Sequence, residues 1–591
     1  MIKLFRFLKQ YTLQIIVIVI LVFTQVLANL YLPTLMADIV DNGIVQKDVV
    51  QKVSFLGFSG AYKGINYIMI IGGIMLIISA GGVICSVIAA YLSSKTAVGF
   101  CRIIRDKMFT KVEGFSLQEF DKVGTATLIT RTTNDVFQIQ TATVMIFSIF
   151  LFAPLTAIGG VVMALSEDKT LTLIFAVVVP LLGLIIGITL KYAMPLFKLM
   201  QVKIDKLNLV VREKLTGIRV IRAFNRIDKE EIRFNDANVD LMDNAIKVNI
   251  IMAFLMPVMM LIMNVTTVAI IWFGAIRINA GSMQVGSLIA FIQYGMQILF
   301  GFLMLAMVFI MLPRAQASAI RINEVLAMEP QILDPKIAIL ADRESGYVEF
   351  KDVSFSYPGA EQPAISNITF SAKPGEITAI IGGTGSGKST LVNLIPRFYD
   401  VTSGSLLVDG VDVREMSQES LRFKIGFVPQ NTVLFSGTIA QNIKFGKNDA
   451  TIEEIKHAAT VAQATEFVNG MKEGYDHFIA QGGTNVSGGQ KQRLSIARAL
   501  VRKPEIYVFD DSFSALDFKT DARLRAELKK ETVKSTVLII AQRVATVIDA
   551  DRIIVLDEGK IAGIGTHKEL LDSCKVYHEI VSSQLSEEEL A

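Results

Sequence analysis

The chain has 591 residues, of which 52% are hydrophobic and only 19% charged, a balance too apolar for a soluble enzyme of this length. The net charge of +3 leaves no electrostatic footprint for a nucleic-acid partner. Cys85, Cys101 and Cys574 lie far apart, with no metal or disulfide spacing, and Cys574 falls in the less apolar half, which allows a reducing compartment. The apolar excess lies before about Arg314 and the rest reads as an ordinary α/β domain, so two domains are expected, one in membrane and one in water.

In chain order, residues 1–10 intersperse Lys3, Arg6 and Lys9 with Leu4, Phe5, Phe7 and Leu8, the pattern of a basic amphipathic segment on a membrane surface. The charge-free run from Lys9 to Asp38 is too long for a signal peptide, and five more follow. They lie between Lys63 and Lys95, Asp135 and Glu167, Lys169 and Lys191, Lys247 and Arg277, and Arg277 and Arg314. Each exceeds the roughly 20 residues that cross a hydrocarbon core. These six spans are expected within residues 11–315. Two intervening segments are basic, one from Arg102 to Arg131 and one from Lys198 to Arg233, and both should be cytoplasmic. They read as helices that continue beyond the bilayer, and they place the N-terminus and the second domain in the cytoplasm as well.

Within the spans, Gln25, Asn29, Asn264, Gln293 and Gln297 are expected to bond between helices, with lining of a solute path as the alternative. Met252, Met256, Met259, Met260 and Met263, then Met296, Met304, Met307 and Met311, suit either ordinary packing or an adaptable apolar pocket. Pro154, Pro180 and Pro257 sit mid-span and are expected to kink their helices. Asp38 and Asp41, at the outer end of the first span, read as solvated or as part of an outer gate.

Residues 316–342 read as a connector and 343–591 as the aqueous domain. Short alternating strands lead to Tyr357, then to the apolar strand Ile377–Ile381 and to Gly382-Gly383-Thr384-Gly385-Ser386-Gly387-Lys388-Ser389-Thr390. This is G-x-x-x-x-G-K-[ST] in its proper setting, between a strand and a helix. Glycines let backbone N–H groups converge on a phosphate, and the helix start adds positive partial charge. Lys388 supplies a full charge for the outer phosphates and the Ser389 hydroxyl a ligand for Mg²⁺. Further on, the apolar run Glu505–Phe509 ends in Asp510, the acid expected opposite such a loop to hold the metal. Between them, Ser487-Gly488-Gly489-Gln490 opens a helix and forms a second anion-binding element. Two such elements so far apart in one domain suggest that two domains share the ATP between them.

The phosphate loop, Gln430, Val486–Gln490, Asp510 and Ser514-Ala515-Leu516-Asp517 occur in the order of an ATP-binding cassette. With six spans ahead of it, the whole chain resembles a half-size ABC exporter: a six-helix all-α transmembrane domain followed by an α/β cassette. That resemblance implies that Tyr357 stacks on adenine and that Ser389, Gln430 and Asp510 surround Mg²⁺. It also implies that Ser487, Gly488 and Gln490 face the ATP held by a partner chain, and it counts Gly489 and Asp517 among the nucleotide-binding residues. The turns near Phe115–Asp121 and Gly217–Arg226 resemble the helices that dock on the cassettes.

Three positions depart from the family pattern. Asp511 stands where a catalytic glutamate is usual, Gln542 in place of a histidine, and Gln481 in place of a glutamate. A carboxylate shorter by one methylene retracts from the attacking water, and a misplacement of about 1 Å can cost on the order of 100-fold in rate. An amide cannot carry the charge or the proton of an imidazole. The chain therefore resembles the degenerate-site half of bacterial heterodimeric multidrug exporters. The implied partner is a second half-transporter carrying the usual Glu and His, and the implied cargo an amphiphilic drug or lipid. The alternative is a regulatory ATP-sensing subunit that gates another membrane protein.

Overall fold

The computed structural model describes residues 1–55, 58–341 and 345–584. The chain forms two compact units, one made of Met1–Glu113 and Gly124–Met328, the other of Gly114–Val123 and Glu329–Ala591.

The first unit is almost wholly helical. Ile2–Phe5 and Arg6–Tyr11 form a short helical entry. Six helices follow that are long and apolar enough to cross a membrane: Lys3–Val45, Gly64–Glu113, Thr125–Glu167, Leu173–Thr216, Ile227–Asn279 and Val285–Ala306. At about 1.5 Å per residue, the 53 residues of Ile227–Asn279 extend for roughly 80 Å, against about 30 Å of hydrocarbon. The basic segments therefore sit on helices that run on past the apolar stretch. Pro154, Pro180 and Pro257 lie inside continuous helices, as do Pro33, Pro195 and Pro313. A wide π-type turn at Ile146–Phe150 ends four residues before Pro154, where the missing N–H frees a carbonyl.

Three features differ from the sequence reading. The outer segment Asn42–Asn66 contains an antiparallel hairpin, β1 (Gln51–Phe55) and β2 (Phe58–Tyr62), whose Val53 and Phe55 pack with Tyr67, Ile71 and Ile74. Asp41 is not solvated: it is 5% exposed and accepts a hydrogen bond from the Gly286 N–H at 2.6 Å. The last long helix runs unbroken from Val285 to Ala327, so the first part of the 316–342 connector continues this helix and the chain leaves it at Met328. The expected start of the aqueous domain, Asp342 and Arg343, lies outside the described residues.

The second unit is built on β3 (Val348–Phe355), β4 (Ile365–Ala372), β5 (Ile377–Gly382), β6 (Ser403–Val408), β7 (Val411–Asp412), β8 (Ile425–Val428), β9 (Gly437–Thr438), β10 (Phe478–Ile479), β11 (Ile506–Asp510), β12 (Thr536–Ile540), β13 (Arg552–Asp557) and β14 (Lys560–Gly565). A six-stranded sheet has the order β14-β13-β5-β12-β11-β8, parallel except at β13–β14. A four-stranded antiparallel sheet has the order β4-β3-β6-β7. The central strands are buried on both faces, which is why β11 and β12 read as unbroken apolar runs. Helix Leu117–Val123 belongs to this unit through Asp121, which accepts from the Tyr399 hydroxyl at 3.2 Å, and Glu119, which accepts from the Gln331 N–H at 3.3 Å.

Candidate functional site

Strand order decides which side chains meet. In the parallel part of the sheet, β5, β12, β11 and β8 lie side by side and point the same way. Their C-terminal ends deliver, in a row, the phosphate loop, Gln542, the Asp510–Asp511 pair and Gln430. Ligand crevices of open α/β sheets form at such strand ends.

The loop between β5 and helix Lys388–Leu394 is closed tightly at both ends. A Cβ on Gly382 would lie 2.1 Å from the Leu556 carbonyl oxygen. Gly387 has φ +91°, and a Cβ there would lie 2.7 Å from the Ala364 carbonyl oxygen. Lys388 is buried, and its ammonium donates to the carbonyls of Gly382 at 2.8 Å and Gly383 at 2.7 Å. Burial lowers its pKa, opposed by the charges of Asp511 and Asp510. The Ser389 hydroxyl donates to Asp510 Oδ1 at 3.0 Å. These groups fit a magnesium nucleotide: an all-oxygen donor set of hydroxyl and carboxylate beside a glycine-bounded cradle carrying one cation. Mg²⁺, when bound, neutralises charge on the phosphate oxygens. Tyr357 is anchored at the edge of the site, its hydroxyl 3.1 Å from Thr390 Oγ1 and its ring edge-on to Phe355 and Tyr399.

Asp510 and Asp511 are 5% and 7% exposed. Burial raises the pKa of Asp510, opposed by the Ser389 hydrogen bond and reinforced by the charge of Asp511. Burial raises that of Asp511 too, opposed by the hydrogen bond from Gln430. Asp511 has φ +47°, a left-handed conformation that aspartate tolerates better than most residues. Its Oδ2 accepts from two amides, Gln430 Nε2 at 3.2 Å and Gln542 Nε2 at 2.9 Å. The short carboxylate is therefore held by neutral donors.

Ser487 caps helix Gly488–Leu500 in a reciprocal box: its Oγ accepts from the Gln490 N–H at 3.3 Å, and Gln490 Oε1 accepts from the Ser487 N–H at 2.9 Å. Gly488 faces open space, whereas Gly489 packs on the Ala515 carbonyl. Asp517 caps its own helix, Phe518–Glu531, by accepting from the Thr520 N–H at 3.0 Å, which lowers its pKa. Gln481 is exposed in a turn at Gln481–Gly483.

An ABC transporter transmembrane region matches residues 15–303 and an ABC transporter domain matches residues 365–514. An uncharacterized ABC transporter ATP-binding protein of Mycobacterium tuberculosis is 42% identical over 580 residues, which are 98% of this chain and 97% of that protein. This chain belongs to the ABC transporter family. A putative multidrug export ATP-binding/permease protein of Bacillus subtilis is 35% identical over 498 residues, 84% of this chain and 85% of its own length. The fold also matches a bacterial Atm1-family ABC exporter with ATP bound, at a TM-score of 0.80 and 24% identity, over 98% of this chain and 99% of that one.

As a half-size ABC exporter, the chain is a multi-pass membrane protein with an ABC-type ATPase unit that uses ATP and Mg²⁺. Its transmembrane unit holds a cavity of about 680 Å³ lined by Met256, Met259, Met260, Met263 and Met296, with Asn29, Thr156, Gln293 and Gln297 as the polar groups and no charged side chain. Five of the methionines thus border this cavity, and Met259 also belongs to a buried cluster with Val178, Leu182, Ile262 and Leu299. Met252 and Met304 do not line this cavity, and the side chains of Met307 and Met311 lie outside the described set. Gln297 Nε2 donates to the Asn29 carbonyl at 3.3 Å, so one expected cross-helix bond forms. Its Oε1 is buried without a protein partner. Gln25 is half-buried, and Asn264 is exposed. The helix Ile218–Ala223 has no buried residue, and its neighbour Phe224 is 73% exposed.

Proposed function

We propose that this chain is one half of a heterodimeric ATP-driven exporter of amphiphilic compounds, drugs or lipids, and that its own nucleotide site holds ATP more than it cleaves it. The carrying observation is Asp511: a buried aspartate whose Oδ2 is shared by two neutral amides, Gln430 and Gln542. In this reading Gly382–Thr390 hold the phosphates, Tyr357 the adenine, and Ser389, Gln430 and Asp510 the metal. Asp511 is the group that should activate water, and Gln542 faces the γ-phosphate. A general base must reach the proton it abstracts, and here the carboxylate is both short and tied back. The work stroke then comes from a second site, where Ser487, Gly488, Gly489, Gln490 and Asp517 complete the pocket of a partner carrying Glu and His. The exposed Ile218–Phe224 segment suits contact with a second chain.

The charge-free methionine cavity suits varied apolar cargo, since methionine side chains re-pack readily. The N-terminal segment, with the basic loops, lies on the cytoplasmic face of the cell membrane. The test is turnover at this chain's own loop in a complex whose partner site is disabled. Asp511→Glu combined with Gln542→His should raise it by on the order of 100-fold. No rise at all, or full partner-independent ATPase activity of the purified chain, ends this reading.

A further inference from the structure

The segment Ala541–Val544 joins β12 to the short helix Val544–Val547 and carries Gln542. That helix begins without a side-chain cap of its own, which leaves the Val544 N–H among the donors that intrahelical bonding cannot satisfy. The missing acceptor comes from 40 residues downstream: Gln584 Oε1 accepts from the Val544 N–H at 2.8 Å. The other end of the same amide donates, through Nε2, to the Gln542 carbonyl at 2.8 Å. One planar side chain thus bridges the peptide groups on either side of Arg543, as a neighbouring strand would.

Gln584 is itself fixed. Its N–H donates to the Val581 carbonyl at 3.0 Å, just past helix Lys575–Ser582. Tyr577 and Val581 of that helix are buried in the core that also contains Ala541, Val544 and Val547. Two further tethers lie to either side: the Ala541 N–H bonds the Ile380 carbonyl at 3.2 Å, and the Arg543 side chain bonds the Ser514 carbonyl at 3.1 Å.

We propose that Gln584 is a positioning residue: through its two hydrogen bonds, the C-terminal helix sets where the Gln542 side chain stands relative to the terminal phosphate of bound nucleotide. This rests on the reading of Gln542 given above. Both hydrogen bonds of the Gln584 side chain go to backbone, not to Asp511. Gln584 acts through the backbone of the residue that donates to Asp511 Oδ2 at 2.9 Å.

The test uses the full chain in detergent micelles with Mg²⁺ and compares affinities for AMP-PNP and ADP, which differ in the terminal phosphate. Gln584→Ala should lower the AMP-PNP preference about 5-fold with ADP affinity unchanged, the loss expected when the single contact of Gln542 with the terminal phosphate is misplaced. Gln584→Glu keeps the acceptor for Val544 and loses the donor to Gln542, and should fall between. The position is exposed, and losing one such cap weakens a fold without undoing it, so both variants should be obtained folded. Gln542→Ala serves as the reference. If it lowers the preference and Gln584→Ala does not, the positioning role is wrong while the reading of Gln542 stands. If Gln542→Ala leaves the preference unchanged, that reading fails and the positioning role falls with it. An equal loss for both nucleotides in Gln584→Ala would mark a merely structural residue and would also overturn the proposal.

Discussion

The phosphate cradle and the transmembrane cavity are built in opposite ways. In the cradle, glycines that admit no Cβ fix the backbone, and the buried ammonium of Lys388 and the carboxylates of Asp510 and Asp511 have named partners at 2.7–3.2 Å. In the cavity, five methionines supply contact without direction, no charged side chain lines it among the described residues, and one acceptor, Gln297 Oε1, is left open. A ligand of fixed charge and shape rewards preorganised polar groups, because each buried dipole left unpaired is costly. Cargo of varied shape rewards surfaces that re-pack.

The contrast can be broken first at Lys388. Lys388→Ala removes the only full positive charge in the cradle and should weaken ATP binding at this chain's own loop by about 100-fold, the scale of charge-assisted hydrogen bonds. Titration with a fluorescent ATP analogue measures it, and unchanged affinity would mean that the cradle is not the binding site.

The cavity should respond more gently. Gln297→Leu should reduce affinity about 5-fold for cargo bearing an N–H or O–H donor and leave donor-free cargo unaffected. Met260→Leu should alter either by less than about 10-fold, since volume-conserving apolar swaps are well tolerated. Equilibrium binding with paired ligands that differ in one hydroxyl separates the two effects. A collapse of all binding on Met260→Leu would place the cavity with the rigid sites.

The smallest effect is on pH-dependent stability. Burial raises the pKa values of Asp510 and Asp511 above their unfolded values. The native state therefore binds more protons than the unfolded chain in that window. Without metal or nucleotide, the stability these groups contribute is complete below the ordinary aspartate pKa and is lost as pH rises through the raised ones. Asp510→Asn should consequently melt slightly higher than the parent at neutral pH in EDTA, and the difference should vanish in acid. A variant that melts lower at neutral pH would show that the ionised carboxylate is not a burden to the fold.

The sequence alone carried the six apolar spans, the phosphate loop, the carboxylate Asp510 that ends β11 and the departures at Asp511 and Gln542. These are patterns of hydrophobicity or contiguous motifs, written in adjacent residues. It did not reveal the outer hairpin or the burial of Asp41, because both depend on packing against Tyr67, Ile71 and Gly286. Nor did it show that the stretch before Tyr357 holds a single strand, β3, with an irregular register and Asp352 at φ +50°. Only the tertiary structure decided that Gln430 and Gln542 converge on one oxygen of Asp511, and that Gln584 spans the backbone beside Gln542. Those residues come from different strand ends and from the turn after the chain's last described helix, and no spacing in sequence encodes which strands lie side by side. Adjacency in the sheet is settled by which apolar faces bury one another, a property of the whole fold.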